Sequence, residues 1–540
     1  MRKGQGEHWW IFCGVVLFFV VFLMAPLSVL LMNSLQTTQG LGFSNYAVVL
    51  QERSILFSIR NSIVVSALAA AITTVLAFVL SYAVNCTNIH RGLKGLIRTG
   101  IVLPMLLPTI TYGFAIMYSF GKQGLLTRLA GGELFSIYGI WGLLLGYVIY
   151  TLPPAFLLLN NAFGYIDKKF IIVSELMGDS FWRGFCNTIV QPLLGALGGV
   201  YVVSFILSFT DFGIPASLGG AFNVIATDLY QVMLGAVPNF AGGAVIAMLM
   251  LLPAVAGVLV LSYLEKFNFH YETLTDRELP SNMLRDACFA SFSLLTVVAV
   301  LSVFVVMFVA PLVKNFPYDM SFSLQFLQSA LLGQSLLQVY ENSLLVAVAS
   351  AVAGTIGAYG AALINVRTAM NKKAKMSLDL IALATNTVPG MVLGLAYLLL
   401  FNDSVIKGTF FIIIACNIVH FFATPYLMAK NSLGKLNSGW EITGELMGDT
   451  WLKTVLRVIV PNSGTTIVEM FSYYFINAMV TISAIIFLVA ARTSVVTSKI
   501  KELQHYANFN EIFILSILIF ITNMLVKIGC DYAHKKMSSL

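Results

Sequence analysis

Twelve stretches of this chain stay apolar for about twenty residues, near 9–32, 62–84, 98–120, 136–159, 193–214, 241–264, 289–313, 343–365, 378–401, 409–429, 463–490 and 511–531. A helix crossing the hydrocarbon core of a bilayer needs roughly 20 such residues. Backbone polar groups there must be paired within the chain, which leaves the helix as the spanning form for such segments. The pattern predicts an all-α polytopic membrane protein with about 12 transmembrane helices. A soluble fold would have to cover the same surface with charged residues at 10% of the chain, against about 25% in an ordinary soluble domain. The first stretch places Pro26 and Met32 where a small-residue cleavage site would fall, so it reads as a retained anchor. Six cysteines, at 13, 86, 186, 288, 416 and 530, are too scattered for a disulfide framework or a metal cluster.

Orientation follows from the cations. With the N-terminus inside, 22 of the 31 Lys and Arg residues fall on the cytoplasmic side, among them Arg2, Lys3, Arg91, Lys94, Arg98, Arg277, Lys372, Lys430 and Lys535. Both termini are therefore expected in the cytoplasm of a multi-pass membrane protein. The net charge of +7 belongs to that face and calls for no nucleic acid.

The chain is also written twice. Glu175-Leu176-Met177-Gly178-Asp179 returns as Glu445-Leu446-Met447-Gly448-Asp449, at an offset of 270 residues in a chain of 540. Asn61-Ser62-Ile63-Val64 and Asn342-Ser343-Leu344-Leu345 open the second and eighth stretches, and Pro108 and Pro389 follow them, both pairs at an offset of 281. An internal repeat of this length defines the architecture: two parallel six-helix units, residues 1–275 and 276–540. With six spans per unit the copies face the same way, so their pseudo-two-fold axis runs along the membrane normal.

Loops 160–192 and 430–462 join the fourth and fifth spans of each unit. Each parses as a short helix, a break at Gly178 or Gly448, and a second short helix. Asp179-Ser180 and Asp449-Thr450 offer cap oxygens to that second helix, which carries Trp182 in one copy and Trp451 in the other. An exposed amphipathic helix of this kind suits a groove on another protein.

These two loops resemble the EAA motif of ABC importer permeases: Glu-Ala-Ala, three residues, Gly, nine residues, then Ile-x-Leu-Pro. Gly448 precedes Pro461 by thirteen residues, the family spacing, and Gly178 precedes Pro192 by fourteen. The sequence departs from the motif at its front, where Ile172-Val173-Ser174 and Ile442-Thr443-Gly444 stand in the Glu-Ala-Ala places. The segments Pro389–Tyr397 and Ile482–Leu488 resemble the fused permeases for ferric iron, thiamine, polyamines and 2-aminoethylphosphonate. Phe209–Pro215 and Asn223–Tyr230 look most like the 2-aminoethylphosphonate members. The resemblance implies a type I ABC importer permease fold and ATP-driven import of a small polar solute, with 2-aminoethylphosphonate placed before ferric iron. It further implies two copies of an ATPase subunit that bind ATP and Mg, an extracytoplasmic solute-binding protein, and no cofactor in this chain. Glu175, Leu176, Met177, Gly178, Asp179, Trp182 and Glu445, Leu446, Met447, Gly448, Asp449, Trp451 then become the ATPase-coupling residues.

Polar residues inside spans are candidates for the solute path. They are Thr109, Thr111 and Tyr112 after Pro108, Thr385, Asn386 and Thr387 before Pro389, and Asp211 and His420. Aligning Pro192 with Pro461 sets Val480 opposite Asp211, so the acid is expected on one half only. The competing reading is a twelve-helix secondary transporter driven by an ion gradient. Its usual acidic–basic Gly-rich loop is absent from Asn85–Gly92. No catalytic pair, metal motif or Gly-x-x-x-x-Gly-Lys-Ser/Thr loop is found in the sequence, so hydrolysis is assigned to a separate chain.

Overall fold

The computed structural model describes residues 5–37, 40–133, 135–218, 220, 222–264, 266 and 282–538. The boundary expected at 275/276 and the cations Arg2, Lys3 and Arg277 lie outside these residues. From the N-terminus the principal helices are α1 (His8–Leu35), α2 (Arg53–Cys86), α3 (Arg91–Val102), α4 (Thr109–Phe120), α5 (Ile140–Phe163), α6 (Lys169–Leu176), α7 (Phe181–Phe185), α8 (Gln191–Thr210), α9 (Gly213–Leu218), α10 (Ile225–Leu234) and α11 (Phe240–Leu264). The second half continues with α12 (Met283–Leu312), α13 (Gln334–Arg367), α14 (Lys372–Thr387), α15 (Gly390–Phe401), α16 (Phe410–His420) and α17 (Ala423–Lys435). It ends with α18 (Gly439–Leu446), α19 (Trp451–Thr454), α20 (Gly464–Val480), α21 (Val496–His505) and α22 (Phe509–Ser538). Among the described residues sheet is confined to two hairpins, β1 (Gln36–Thr37) with β2 (Gly40–Leu41) and β3 (Val313–Asn315) with β4 (Asp319–Phe322).

Among the described residues eight helices are long and apolar enough to cross a membrane, or eleven when three bent pairs each count as one span. The eleventh expected stretch, 463–490, is helical only as far as Val480, giving α20 17 residues. Beyond it the chain turns back through 483–488.

Two compact units form, and neither coincides with a sequence half. One holds Met1–Val49, Val232–Leu251 and Gln328–Leu540; the other holds Leu50–Gln231 and Leu252–Leu327. The leading helix of each half therefore packs with the body of the opposite half. Within the first unit, Phe19 of α1 meets Phe422 at 4.5 Å and Phe22 meets Phe401 at 5.8 Å between ring centroids. Within the second, Ser119 of α4 donates to the Val303 carbonyl of α12 at 3.0 Å.

Prolines set the irregular points, and the backbone answers in two ways. Pro26, Pro192 and Pro461 each follow a five-residue π-turn, Val20–Met24, Cys186–Val190 and Val455–Ile459, at the same spacing. A proline has no N–H and its ring collides with the carbonyl four residues back. Widening the turn to i→i+5, as in Gln191 N–H to Cys186 O and Val460 N–H to Val455 O, lets the helix continue past it. At Pro108 and Pro389 the helix breaks instead. Both prolines take extended backbone angles (φ −62°, ψ 143° and φ −57°, ψ 144°). The flanking helices bend by 106° and 103°. The Pro104 carbonyl, which Pro108 cannot serve, accepts from the Tyr112 hydroxyl at 2.5 Å.

Glycines let the chain that follows the fifth span return onto these broken helices. A Cβ on Gly113 of α4 would stand 3.1 Å from the Ile214 carbonyl, and one on Gly394 of α15 would stand 2.4 Å from the Ala484 carbonyl. Backbone oxygens cannot yield as a side-chain tip would. Gly394→Ala is expected to cost about 2 kcal/mol through overpacking and to lower the melting temperature of the detergent-solubilised protein by several degrees. Gly14→Ala, where no atom lies within 4 Å, should leave it unchanged. Equal melting of both variants and the wild type would refute this packing.

Candidate functional site

Each of the two repeated loops folds as helix, glycine, helix. Gly178 and Gly448 sit at φ +77° and +78°, a region that L-residues with a Cβ enter at a cost of roughly 1–2 kcal/mol. The reversal is closed by bonds across it, Asp179 N–H to Ser174 O at 3.1 Å and Asp449 N–H to Gly444 O at 2.9 Å. This six-to-one bond is the mark of a Schellman ending. The short helices cross so closely that one side must be bare. A Cβ on Gly184 would lie 2.8 Å from Ser174 Oγ, and a Cβ on Gly444 would lie 2.3 Å from Thr454 Oγ1. The partners exchange roles between the copies, with Ser174 facing Gly184 and Gly444 facing Thr454. A small residue at the third Glu-Ala-Ala place thus has a packing reason, which survives although the acidic first place does not.

The loops present their apolar side chains outward. Leu176, Met177 and Trp182 are 82%, 79% and 71% exposed, and Leu446 and Met447 are 83% and 78% exposed. Trp451 behaves differently, standing edge-on to the His8 ring of α1 at 4.2 Å. The expected cap oxygen is realised in one copy: Thr450 accepts from Lys453 N–H at 3.3 Å. Ser180 makes no side-chain cap bond, and Asp179 instead accepts from the Ser174 hydroxyl at 2.8 Å. Asp449 forms an ion pair with Lys453. The backbone of Glu175 belongs to α6 and that of Glu445 to α18.

The spacing difference between the copies resolves into two compensating single residues. Helix α7 has five residues before its π-turn and α19 has four. After the second π-turn, Ser463 (φ −110°, ψ 14°) interrupts the helix ahead of α20. The fifth spans consequently end at Asp211 (φ −69°, ψ 136°) and Thr481 (φ −67°, ψ 139°), an offset of 270 again. The counterpart of Asp211 is Thr481, correcting the Val480 obtained from the prolines alone.

The loops are held to their units by different chemistry. In the first copy Ile171 and Ile172 pack on a cluster of Tyr82, Cys86, Phe163, Ile166, Ile189 and Leu193. In the second, the residue matching Cys86 is Arg367 and the residue matching Ile171 is Glu441. The Arg367 guanidinium meets the Glu441 carboxylate at 2.6 Å and donates to the Leu436 and Asn437 carbonyls at 3.0 and 2.9 Å. Neither residue was singled out from the sequence. The signal was present in the offset arithmetic, in which an ion pair replaces an apolar pair.

The polar span residues are mostly engaged in repairing the breaks. Asp211 accepts from Ile214 N–H at 2.9 Å and from the Thr109 hydroxyl, so it caps α9. Thr385 and Thr387 donate to the Ala382 and Ala384 carbonyls, and Thr111 and Tyr112 are buried. Asn386 is exposed. His420 Nε2 lies 3.2 Å from where a Gly390 Cβ would stand, and its Nδ1 is buried without a partner. Among the described residues no group of three or more His, Cys, Asp or Glu could hold a metal ion.

Three substitutions test the loops. Gly178→Val and Gly448→Val should insert normally, since the strain falls outside the spans, and should abolish uptake. Although only the second loop keeps the family spacing, the equal φ values predict equal severity. Arg367→Ala leaves Glu441 half-buried without its cation, at a cost of roughly 3 kcal/mol. It should cut uptake at least tenfold while leaving the first loop's protease protection unchanged. Normal uptake in all three variants would remove these loops from the transport machinery.

Residues 353–539 match the family of binding-protein-dependent transport system inner membrane components. The chain is 24% identical over 526 residues to the ferric transport system permease protein FbpB of Actinobacillus pleuropneumoniae, covering 93% of this chain and 74% of that protein. It is 25% identical over 472 residues to the putative ferric transport system permease protein FbpB 1 of Haemophilus influenzae, covering 83% and 72%. The molybdenum transport system permease protein ModB of Azotobacter vinelandii is 29% identical over 157 residues, covering 28% and 69%. Residues 353–539 carry this transport domain, and with spans in a repeated order, paired helix–glycine–helix loops and similarity along most of its length, the chain is similar to fused, two-repeat permeases of ABC importers.

Proposed function

We propose that this permease imports ferric iron, with two copies of an ATPase subunit docked on its two repeated loops and an extracytoplasmic solute-binding protein delivering the solute. The observation that carries the docking is the duplicated loop, which turns Leu176, Met177 and Trp182 outward in one copy and Leu446 and Met447 in the other. A soluble partner with two apolar grooves would cover them, and that partner would bind the ATP and Mg. The cation bias then sets both loops and both termini in the cytoplasm.

Iron is placed first because the two relatives matched along most of the chain are named for ferric transport. The preference for 2-aminoethylphosphonate read from two short segments finds no support among these relatives. The broken segments at Thr109, Thr111 and Tyr112 and at Thr385, Asn386 and Thr387, with Asp211 and His420, are proposed to border the solute path. The exposed Asn386 and the unpartnered His420 Nδ1 support that role most directly.

Native mass measurement of the purified complex should give one copy of this chain with two ATPase subunits. Uptake of radiolabelled ferric ion into proteoliposomes should require ATP and persist when the proton gradient is collapsed. Transport by this chain alone on an ion gradient would establish the secondary-transporter reading. Uptake of 2-aminoethylphosphonate without iron would reverse the substrate order.

A further inference from the structure

The repeated Asn-Ser pairs at the starts of the second spans have no part in docking or in the breaks, yet both copies hold the same geometry. Ser62 Oγ of α2 accepts from Ile225 N–H, the first residue of α10, at 2.8 Å. Ser343 Oγ of α13 accepts from Val496 N–H, the first residue of α21, at 2.7 Å. Asn61 Nδ2 donates to the Asn223 carbonyl at 3.0 Å and Asn342 Nδ2 to the Ser494 carbonyl at 3.0 Å, each two residues before its helix. Both serines are buried, at 2% and 3% exposure.

The reason lies in the helix starts. The first N–H groups of a helix have no partner inside it and are usually met by a Ser, Thr, Asp or Asn at the cap. Here the preceding residues are Val224 and Val495, which cannot accept. Thr227 and Ser498 reach back to the Val224 and Val495 amides at 3.2 and 3.1 Å. That leaves the first helical N–H to a hydroxyl from another element, so capping becomes a tertiary tie between the short helix and the second span. In the copy with α21 a further bond, Thr497 Oγ1 to the Thr481 carbonyl at 2.8 Å, fastens the same helix to the end of the fifth span. The fifth span begins at the docking loop. Helices α10 and α21 lie between the fifth and sixth spans, hence on the membrane side opposite the loops.

We propose that Asn61-Ser62 and Asn342-Ser343 are positioning residues. They tie the short helix at the far end of span five to span two, so that force applied at the docking loop reaches the side from which solute enters. The proposal rests on the import-permease reading. Breaking the ties separates ATP hydrolysis from solute movement instead of abolishing both.

The test compares Ser62→Ala/Ser343→Ala with Ser62→Thr/Ser343→Thr in the full complex with ATPase and binding protein, reconstituted in liposomes and supplied with ferric ion. The alanine variant should lose at least tenfold in uptake while hydrolysis stays within twofold, so the ratio of solute moved to ATP used falls at least fivefold. The threonine variant, which keeps the hydroxyl, should restore the ratio. Hydrogen exchange on the full chain should show loss of protection across 494–505 in the alanine variant, with 509–538 unchanged. An unchanged ratio, whether both rates fall together or neither does, overturns the proposal, as does unaltered exchange at 494–505. A wild-type complex that moves no solute would overturn the permease reading instead, and the exchange measurement would still decide the tie.

Discussion

Within the hydrocarbon core a departure from regular helix has to be settled inside the chain, because no water is there to meet an orphaned N–H or C=O. That requirement explains which residues stand at the irregular points. Three prolines are absorbed by π-turns at one fixed spacing. Two others break the helix and are served by the Tyr112 hydroxyl and by threonines bonding back to their own helix. Two short helices that begin behind valines borrow their caps from serines on another span. Polar residues that look like a solute path in sequence are thus first of all the means by which a broken backbone is made tolerable at membrane depth.

Repetition fixes geometry more strictly than chemistry. The glycines of the two repeated loops agree to a degree in φ, and the ends of the fifth spans agree within a few degrees in both angles. Between these fixed points the copies have drifted. One loop is fastened by an aromatic and aliphatic cluster and the other by the Arg367–Glu441 pair. One crossing keeps its glycine on the second helix and the other on the first. What is preserved is the position of a reversal and the closeness of a crossing, since these decide where the exposed Leu-Met pairs stand. The means of holding them can change as long as buried charge is paired.

The two extra residues make the same point. A residue added to α7 advances the helix by about 100° and 1.5 Å, which would carry the fifth span and all that follows out of phase with its mate. A second added residue at Ser463 in the other copy restores the match before the span ends. Compensation over so short a distance indicates that the relation between the loop's second helix and the fifth span can vary, whereas the end of that span cannot.

Much of this could be read from the sequence alone. The spans follow from runs of apolar residues long enough to cross a bilayer, and the orientation expected for them follows from cation placement. The doubling follows from a repeated pentapeptide, and the turn at each loop from a glycine between two short amphipathic runs. These are properties of local composition and period, which a chain carries wherever it packs. The tertiary structure decided the rest. It placed α1 and α12 with the opposite half, because which face of an apolar helix is buried is not encoded in a span that is apolar all round. It set Thr481 opposite Asp211, because the residue that compensates for the longer first loop, Ser463, is identified only by the break it makes ahead of the fifth span. It gave Ser62, Ser343 and Arg367 their partners, because a buried hydrogen bond or ion pair joins residues far apart in the chain and is specified only once both ends are brought together.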